Sequence, residues 1–178
     1  MSREQLWAPW RIGYIAGQAR DDDPQPELSW LAGASPECFL CRAAVEPDPR
    51  RTLTAWRGPA AMVVLNRYPY ANGHLLIAPQ LHKARLDQLS SDEHLEIMQA
   101  ISRLTSTLER LMNCDGFNIG LNLGKVAGAG VPGHLHWHLV PRWHGDTNFM
   151  PVLADTNVIP QSLEALFELL HAELGGTP

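Results

Sequence analysis

The sequence is poor in the features that mark secreted and membrane-bound chains. It holds only three cysteines in 178 residues, an odd number that is too small for a disulfide scaffold. No apolar run approaches the roughly 20 residues that a membrane-spanning helix needs. The first residues also lack the basic and then apolar pattern of a signal peptide. We therefore expect a soluble, cytoplasmic protein without membrane contact.

Positive charge is also scarce. The chain has 14 Lys and Arg against 19 Asp and Glu, a formal net charge of −5. Proteins that bind nucleic acid polymers by counterion release usually carry a basic excess, so this class is disfavoured. A small pocket for a short polyphosphate remains compatible with the composition. With 45% hydrophobic and 19% charged residues, the chain is expected to fold around a core of its own rather than stay disordered.

Turn signals and hydrophobic periodicity predict a single domain over residues 1–178 with three parts. Residues 1–50 read as a loop-rich N-terminal arm, which includes a proline-containing loop at 46–50. Residues 51–150 form the core, and residues 151–178 carry a C-terminal helix.

The core alternates short strands with one long helix. A capping box, Ser90-x-x-Glu93, opens this helix, and apolar residues at spacings of three and four give it one buried stripe. A last helix is predicted over 161–173. The predicted strands are 52–56, 60–65, 74–78, 117–123 and 135–140. Strands joined by hairpins around these helices predict an α+β domain built on an antiparallel sheet.

The most informative segment is His134-Leu135-His136-Trp137-His138-Leu139-Val140. Because strand side chains alternate, the three imidazoles should share one face, while the apolar residues between them point into the core and Pro141 ends the strand. Exposed surface histidines are one reading. A catalytic metal site is another, although no Asp or Glu lies nearby to complete it. We favour a third, nucleophilic catalysis by a neutral imidazole whose other nitrogen is bonded to an acceptor.

A glycine-rich turn, residues 124–133, directly precedes these histidines. Such a turn exposes backbone N–H groups that can hold phosphate oxygens. A plain flexible loop is the alternative, but the neighbouring histidines favour the phosphate interpretation.

Together these residues resemble the histidine triad (HIT) superfamily of nucleotide hydrolases and transferases, whose signature is His-φ-His-φ-His-φ-φ with φ apolar. Residues 65–79 are similar to the ribose-binding strand and turn of the dinucleoside polyphosphate hydrolases. Residues 6–15, 118–124 and 140–149 look typical of the bacterial diadenosine tetraphosphate hydrolase and phosphorylase group. The resemblance covers roughly residues 6–170. It implies a HIT-like sheet of about five strands and a homodimer, with the long helix as a candidate contact.

The resemblance also implies a role for each site residue. His136 would attack the α-phosphorus of a dinucleoside polyphosphate, such as diadenosine tetraphosphate, and hold the nucleotide covalently until water or phosphate releases it. His138 would contact the α-phosphate and the bridging oxygen, and His134 completes the catalytic triad. No organic cofactor is implied. Asn66 would hold the ribose, and Asn122 and the glycine-rich turn, with Gly128 and Gly130, would hold phosphate oxygens. Beside the resemblance, His74 is a candidate for the nucleotide pocket and Trp143 for stacking on the base, and a packed structural role is the alternative for each.

One departure from the family pattern leaves the reaction open. Many relatives carry Gln, Ser or Thr three or four residues before the first triad histidine, where this chain has Gly130 and Val131. Hydrolysis and phosphorolysis therefore both remain candidate reactions. A nucleoside phosphoramidase and a non-catalytic nucleotide sensor are the further alternatives.

Cys38 and Cys41 form a Cys-x-x-Cys pair, which supplies half of a tetrahedral metal site. A thioredoxin-like role is disfavoured because no βαβ context surrounds the pair. Resemblance to zinc-bearing HIT proteins implies that His82 and His134 complete a structural Cys₂His₂ zinc site. Two free thiols are the alternative.

Overall fold

The computed structural model describes residues 26–146 and 159–175, so the predicted arm at residues 6–15 lies outside the described part. A five-stranded antiparallel sheet has the order β1-β2-β3-β5-β4. Its strands are β1 (Thr54–Arg57), β2 (Ala61–Leu65), β3 (Leu75–Pro79), β4 (Gly116–Leu121) and β5 (Trp137–Arg142). This arrangement confirms the predicted α+β class, and it places the histidine-bearing strand β5 between β3 and β4.

The helices are α1 (Phe39–Val45), α2 (Pro49–Thr52), α3 (Ser91–Met112) and α4 (Leu163–Glu173). The capping box is present: the Ser90 hydroxyl accepts from the Glu93 backbone N–H, and the Glu93 carboxylate accepts from the Ser90 N–H. The loop predicted at 46–50 is partly wrong, because Pro49 begins the short helix α2. Proline is favoured at a first helical position, where its missing N–H costs nothing. In the described residues, no helix has the length and apolar character needed to cross a bilayer.

Strands β2 and β3 are buried on both faces of the sheet, and their successive residues face opposite sides. Val63, Leu65, Leu75 and Ile77 lie in one core cluster with residues of α3 and α4. Met62, Val64, Leu76 and Ala78 lie in a second cluster with residues of α1. Since His138 pairs in register with Leu76, the triad belongs to the face that α1 covers.

The start and the end of β5 both differ from the prediction. The strand begins at Trp137, although Leu135 still points into the core with Trp137 and Leu139, so the alternation holds. Pro141 does not end the strand, because it pairs with Phe117 of β4. Strand β3 begins opposite Leu139, so Pro141 lies past it and no ladder bond is lost on that side.

Candidate active site and metal centre

His136 is held by the backbone of its neighbour in the triad. Its Nδ1–H donates to the His134 carbonyl oxygen at 2.9 Å. This bond fixes the proton on Nδ1 and leaves the Nε2 lone pair available. The ring is 7% exposed and lies edge-on to the His138 ring, with 5.1 Å between centroids. A neutral imidazole with a free Nε2 is the form that attacks an electrophile.

A chain of hydrogen bonds sets the tautomer of His138. The Asn66 side-chain amide and the Tyr70 backbone N–H both donate to Nδ1 of His74, at 3.2 and 3.1 Å. His74 therefore carries its proton on Nε2, which donates to Nδ1 of His138 at 2.9 Å. His138 in turn keeps its own proton on Nε2. The predicted site residues Asn66 and His74 are thus connected to the triad itself.

Burial keeps these imidazoles neutral. Burial, followed by the nearby His138 and His136 rings, lowers the pKa of His74 to about 4. Burial and then His136 also lower the pKa of His138. A proton on one imidazole is disfavoured when others lie within about 5 Å. The hydrogen-bond chain therefore operates between neutral rings near pH 7.

A cleft of about 790 Å³ opens beside His138. That volume lies within the usual range for small-molecule sites. The guanidinium of Arg142 donates to Asn118 Oδ1 at 2.7 Å and pairs with Asp146. The polar and aromatic residues of the lining include Tyr70, Asn72, Asn118, Asn122, Arg142, Trp143 and His144.

The predicted substrate-binding residues separate into two groups around this cleft. Asn122 and Trp143 lie in its wall, and the Trp143 indole N–H donates to the Met112 carbonyl at 3.1 Å. Gly128 and Gly130 lie in the adjoining loop. The Gly128 N–H donates to the Lys125 carbonyl at 3.1 Å, so a phosphate would have to displace this bond.

Four predicted metal ligands meet on the other side of the triad. The ligand atoms of Cys38, Cys41, His82 and His134 all lie within 4.8 Å of one another. His134 Nδ1 is 3.4 Å from Cys38 Sγ and 3.6 Å from Cys41 Sγ, and His82 Nδ1 is 3.1 Å from Cys41 Sγ. In tetrahedral zinc, bond lengths of about 2.3 Å to sulfur and 2.0 Å to nitrogen imply sulfur–nitrogen separations of roughly 3.5 Å. The side chains therefore fit a Cys₂His₂ zinc site.

The surroundings of His134 suit a ligand better than a catalytic group. Its Nε2–H donates to the Pro79 carbonyl at 2.8 Å, which leaves Nδ1 free for a metal. Burial above all lowers the pKa of His134 to about 4, so its imidazole is neutral. Burial likewise raises the pKa of the Cys38 thiol, so a bound cation is needed to favour the thiolate. His134 serves the triad through its backbone carbonyl.

The match to a family model agrees with this geometry. Residues 56–145 match the model described as the HIT domain, and the chain therefore belongs to the HIT domain family. It is 35% identical over 175 residues to a Mycobacterium tuberculosis protein named AP-4-A phosphorylase, with 98% of this chain and 86% of the relative covered.

Two further relatives extend the comparison. A Schizosaccharomyces pombe protein named bis(5'-nucleosyl)-tetraphosphatase [asymmetrical] is 30% identical over 91 residues, which cover 51% of this chain and 50% of the relative. A zinc-bound histidine triad family protein from Mycobacterium smegmatis superposes with a TM-score of 0.57 at 27% identity, covering 69% of this chain and 84% of that one. The predicted family and fold class are confirmed.

Tyr70 and Arg142 are residues of the cleft that sequence reasoning did not assign to the site. Tyr70 and His138 are 68 positions apart in the sequence, and the pairing of β3 with β5 brings them together. Arg142 lies on the same face of β5 as His138, at the spacing of a strand. Continuing the period-two pattern past Pro141 would have found it.

Proposed function

We propose that this HIT-family enzyme cleaves dinucleoside polyphosphates, such as diadenosine tetraphosphate, at the α-phosphorus through a covalent intermediate on His136. The observation that carries the proposal is the bond from His136 Nδ1–H to the His134 carbonyl, which leaves Nε2 free on a ring that contacts His138, a residue of the cleft wall. The names of the Mycobacterium tuberculosis and Schizosaccharomyces pombe relatives support the substrate class.

In the first step, His136 Nε2 forms a bond to the α-phosphorus while the bond from phosphorus to the bridging oxygen breaks. The polyphosphate leaves as an anion and needs no proton, and His138 Nε2–H donates a hydrogen bond to the departing oxygen. In the second step, water or inorganic phosphate forms the new P–O bond and the P–N bond breaks. His136 leaves as neutral imidazole, and an attacking water loses its proton to solvent.

Trapping the intermediate tests this mechanism. Substrate labelled at the α-phosphate and quenched in alkali, where a histidine phosphoramidate survives, should leave label on the peptide that contains His136. His136→Gly should lose nearly all turnover and all label while still binding nucleotide. His94→Gly, at an exposed position of α3, is the matched histidine control. Continued turnover by His136→Gly would refute nucleophilic catalysis by this residue.

The identity of the products shows whether water or phosphate is the acceptor in the second step. Identity of 35% to a protein named AP-4-A phosphorylase favours phosphate as the acceptor. Diadenosine tetraphosphate should then give ADP and ATP, and turnover should depend on added phosphate. AMP and ATP at a rate independent of phosphate would establish hydrolysis instead. Turnover of P–N substrates alone would indicate a phosphoramidase, and binding without turnover would indicate a sensor.

We also propose that Cys38, Cys41, His82 and His134 hold a structural zinc ion. When bound, zinc would neutralise two buried thiolates and join the segment before β1 to the active site. Purified protein should carry about one equivalent of zinc, and Cys38→Ser should lose it together with much of the stability. Cys114→Ser, at a buried cysteine outside the cluster, should keep the metal. Wild-type protein that is equally stable with and without chelator would refute a structural role.

The homodimer and the cytoplasmic location remain proposals. Exposed apolar side chains that a second copy would cover are Leu95 and Met98 on α3 and Ile119 on β4. Among the described residues, no strand pairs with the outer edge of β4. Light scattering of Met98→Glu and Ile119→Lys, each against wild type, tests which surface joins two copies. The free cysteines are compatible with the reducing cytoplasm.

A further inference from the structure

The Tyr70 ring covers the hydrogen bond between His74 and His138. Its centroid is 4.6 Å from that of His74 at an interplanar angle of 34°, and 5.8 Å from that of His138 at 23°. The Tyr70 side chain is 61% exposed, whereas His74 is only 2% exposed. Tyr70 and His138 both line the cleft, whereas the buried His74 does not.

Tyr70 also contacts the same pair through its backbone. Its N–H donates to His74 Nδ1, at the start of the hydrogen-bond chain that ends on His138. Tyr70 therefore fixes the proton position of His74 through its backbone, while its ring contacts both imidazoles. The backbone bond needs no particular side chain, so the ring contact is a separate contribution that substitution can remove alone.

We propose that Tyr70 is a positioning residue whose ring holds His138 in its Nε2–H tautomer and in the orientation that presents this proton to the substrate. The inference rests on the proposed function, because it assigns His138 to the departing oxygen. Two physical effects support it. A stacked aromatic ring restricts rotation of the imidazole, and it keeps water away from the His74–His138 bond, which would otherwise have to compete with solvent.

Contact between aromatic rings also stabilises this arrangement beyond the area that it buries, and the Tyr70 ring makes such contacts with both imidazoles. An aliphatic side chain of similar size fills the space without this effect, so Tyr70→Leu separates the aromatic contribution from simple filling.

The experiment compares wild type with Tyr70→Leu and Tyr70→Phe in the full chain. Nitrogen-15 spectra of the histidine rings report the tautomer of His138 without any substrate, and steady-state kinetics with diadenosine tetraphosphate report turnover. Tyr68→Leu is the matched control, because Tyr68 lies in the same loop and is 82% exposed. Since Tyr70 is itself largely exposed, its replacement should leave the unfolding transition close to wild type.

We expect Tyr70→Leu to give a mixture of His138 tautomers and a fall in kcat of about tenfold, with KM changed less than threefold. Tyr70→Phe should restore both values. A raised KM with unchanged kcat and a wild-type tautomer would overturn the proposal and assign the ring to base stacking. If wild type turns over no dinucleoside polyphosphate, the proposed function fails, while the ring spectra still decide whether Tyr70 sets the tautomer.

Discussion

Replacing His74 tests whether a buried neutral imidazole underlies the active-site hydrogen bonds. In His74→Gln the amide can still donate to His138, but the side chain no longer titrates. At pH 7.5 the variant should be less stable than wild type by about 1–2 kcal/mol, because the Asn66 amide and the Tyr70 N–H lose their acceptor.

The pH dependence of this difference follows from the pKa of His74, which burial lowers to about 4 from its ordinary 6.5. Between these values the unfolded chain binds a proton that the folded chain excludes, so wild type loses stability as the pH falls. The contribution is fully present above pH 6.5 and is lost as the pH falls toward 4. At 1.36 kcal/mol per pH unit, wild type loses about 2 kcal/mol from this residue between pH 7.5 and 4.5.

The measurement is urea unfolding of both proteins at pH 7.5, 6.0 and 4.5. The stability gap should shrink by about 2 kcal/mol, or reverse, at the acid end. Other groups that titrate in this range, including His134, are common to both proteins and cancel in the difference. His94→Gln, at an exposed position of α3, is the matched control for the change of histidine to glutamine. A gap that stays constant over the whole range would refute the assignment of His74 as a buried neutral base.

Three glycine substitutions, one of them a control, probe the packing of the fold and of the metal cluster. Gly58→Ala places a methyl group against the Glu96 carboxylate, and it should lower the free energy of unfolding by about 1–3 kcal/mol in urea titrations. Gly116→Ala is the control, because a Cβ at this position meets nothing within 4 Å and should leave the free energy of unfolding close to that of wild type. Gly133→Ala places its Cβ 3.0 Å from His82 Nε2 and should weaken zinc binding in chelator competition. Unchanged zinc affinity would show that His82 shifts freely.

Sequence patterns predicted those parts of the fold that depend on near neighbours in the chain. The capping box at Ser90 located the start of α3, because both of its hydrogen bonds join residues three apart. The alternation of apolar residues with the triad predicted which side chains enter the core. The same local signals wrongly predicted that Pro141 ends β5. A proline can continue this strand because the neighbouring strand β3 begins opposite Leu139, which is a property of the sheet and not of the local sequence.

The candidate site divides in the same way. The sequence by itself determined that the three triad histidines lie at alternate positions of one strand and that Cys38 and Cys41 supply half of a metal site. Both depend on spacing along a strand or a helix turn, which is a local property. Tertiary structure decided that His134 turns its ring to the thiols while its carbonyl holds His136, and that His74 donates to His138. These contacts join groups up to 96 positions apart, and their distances depend on the strand order and register that pack the sheet.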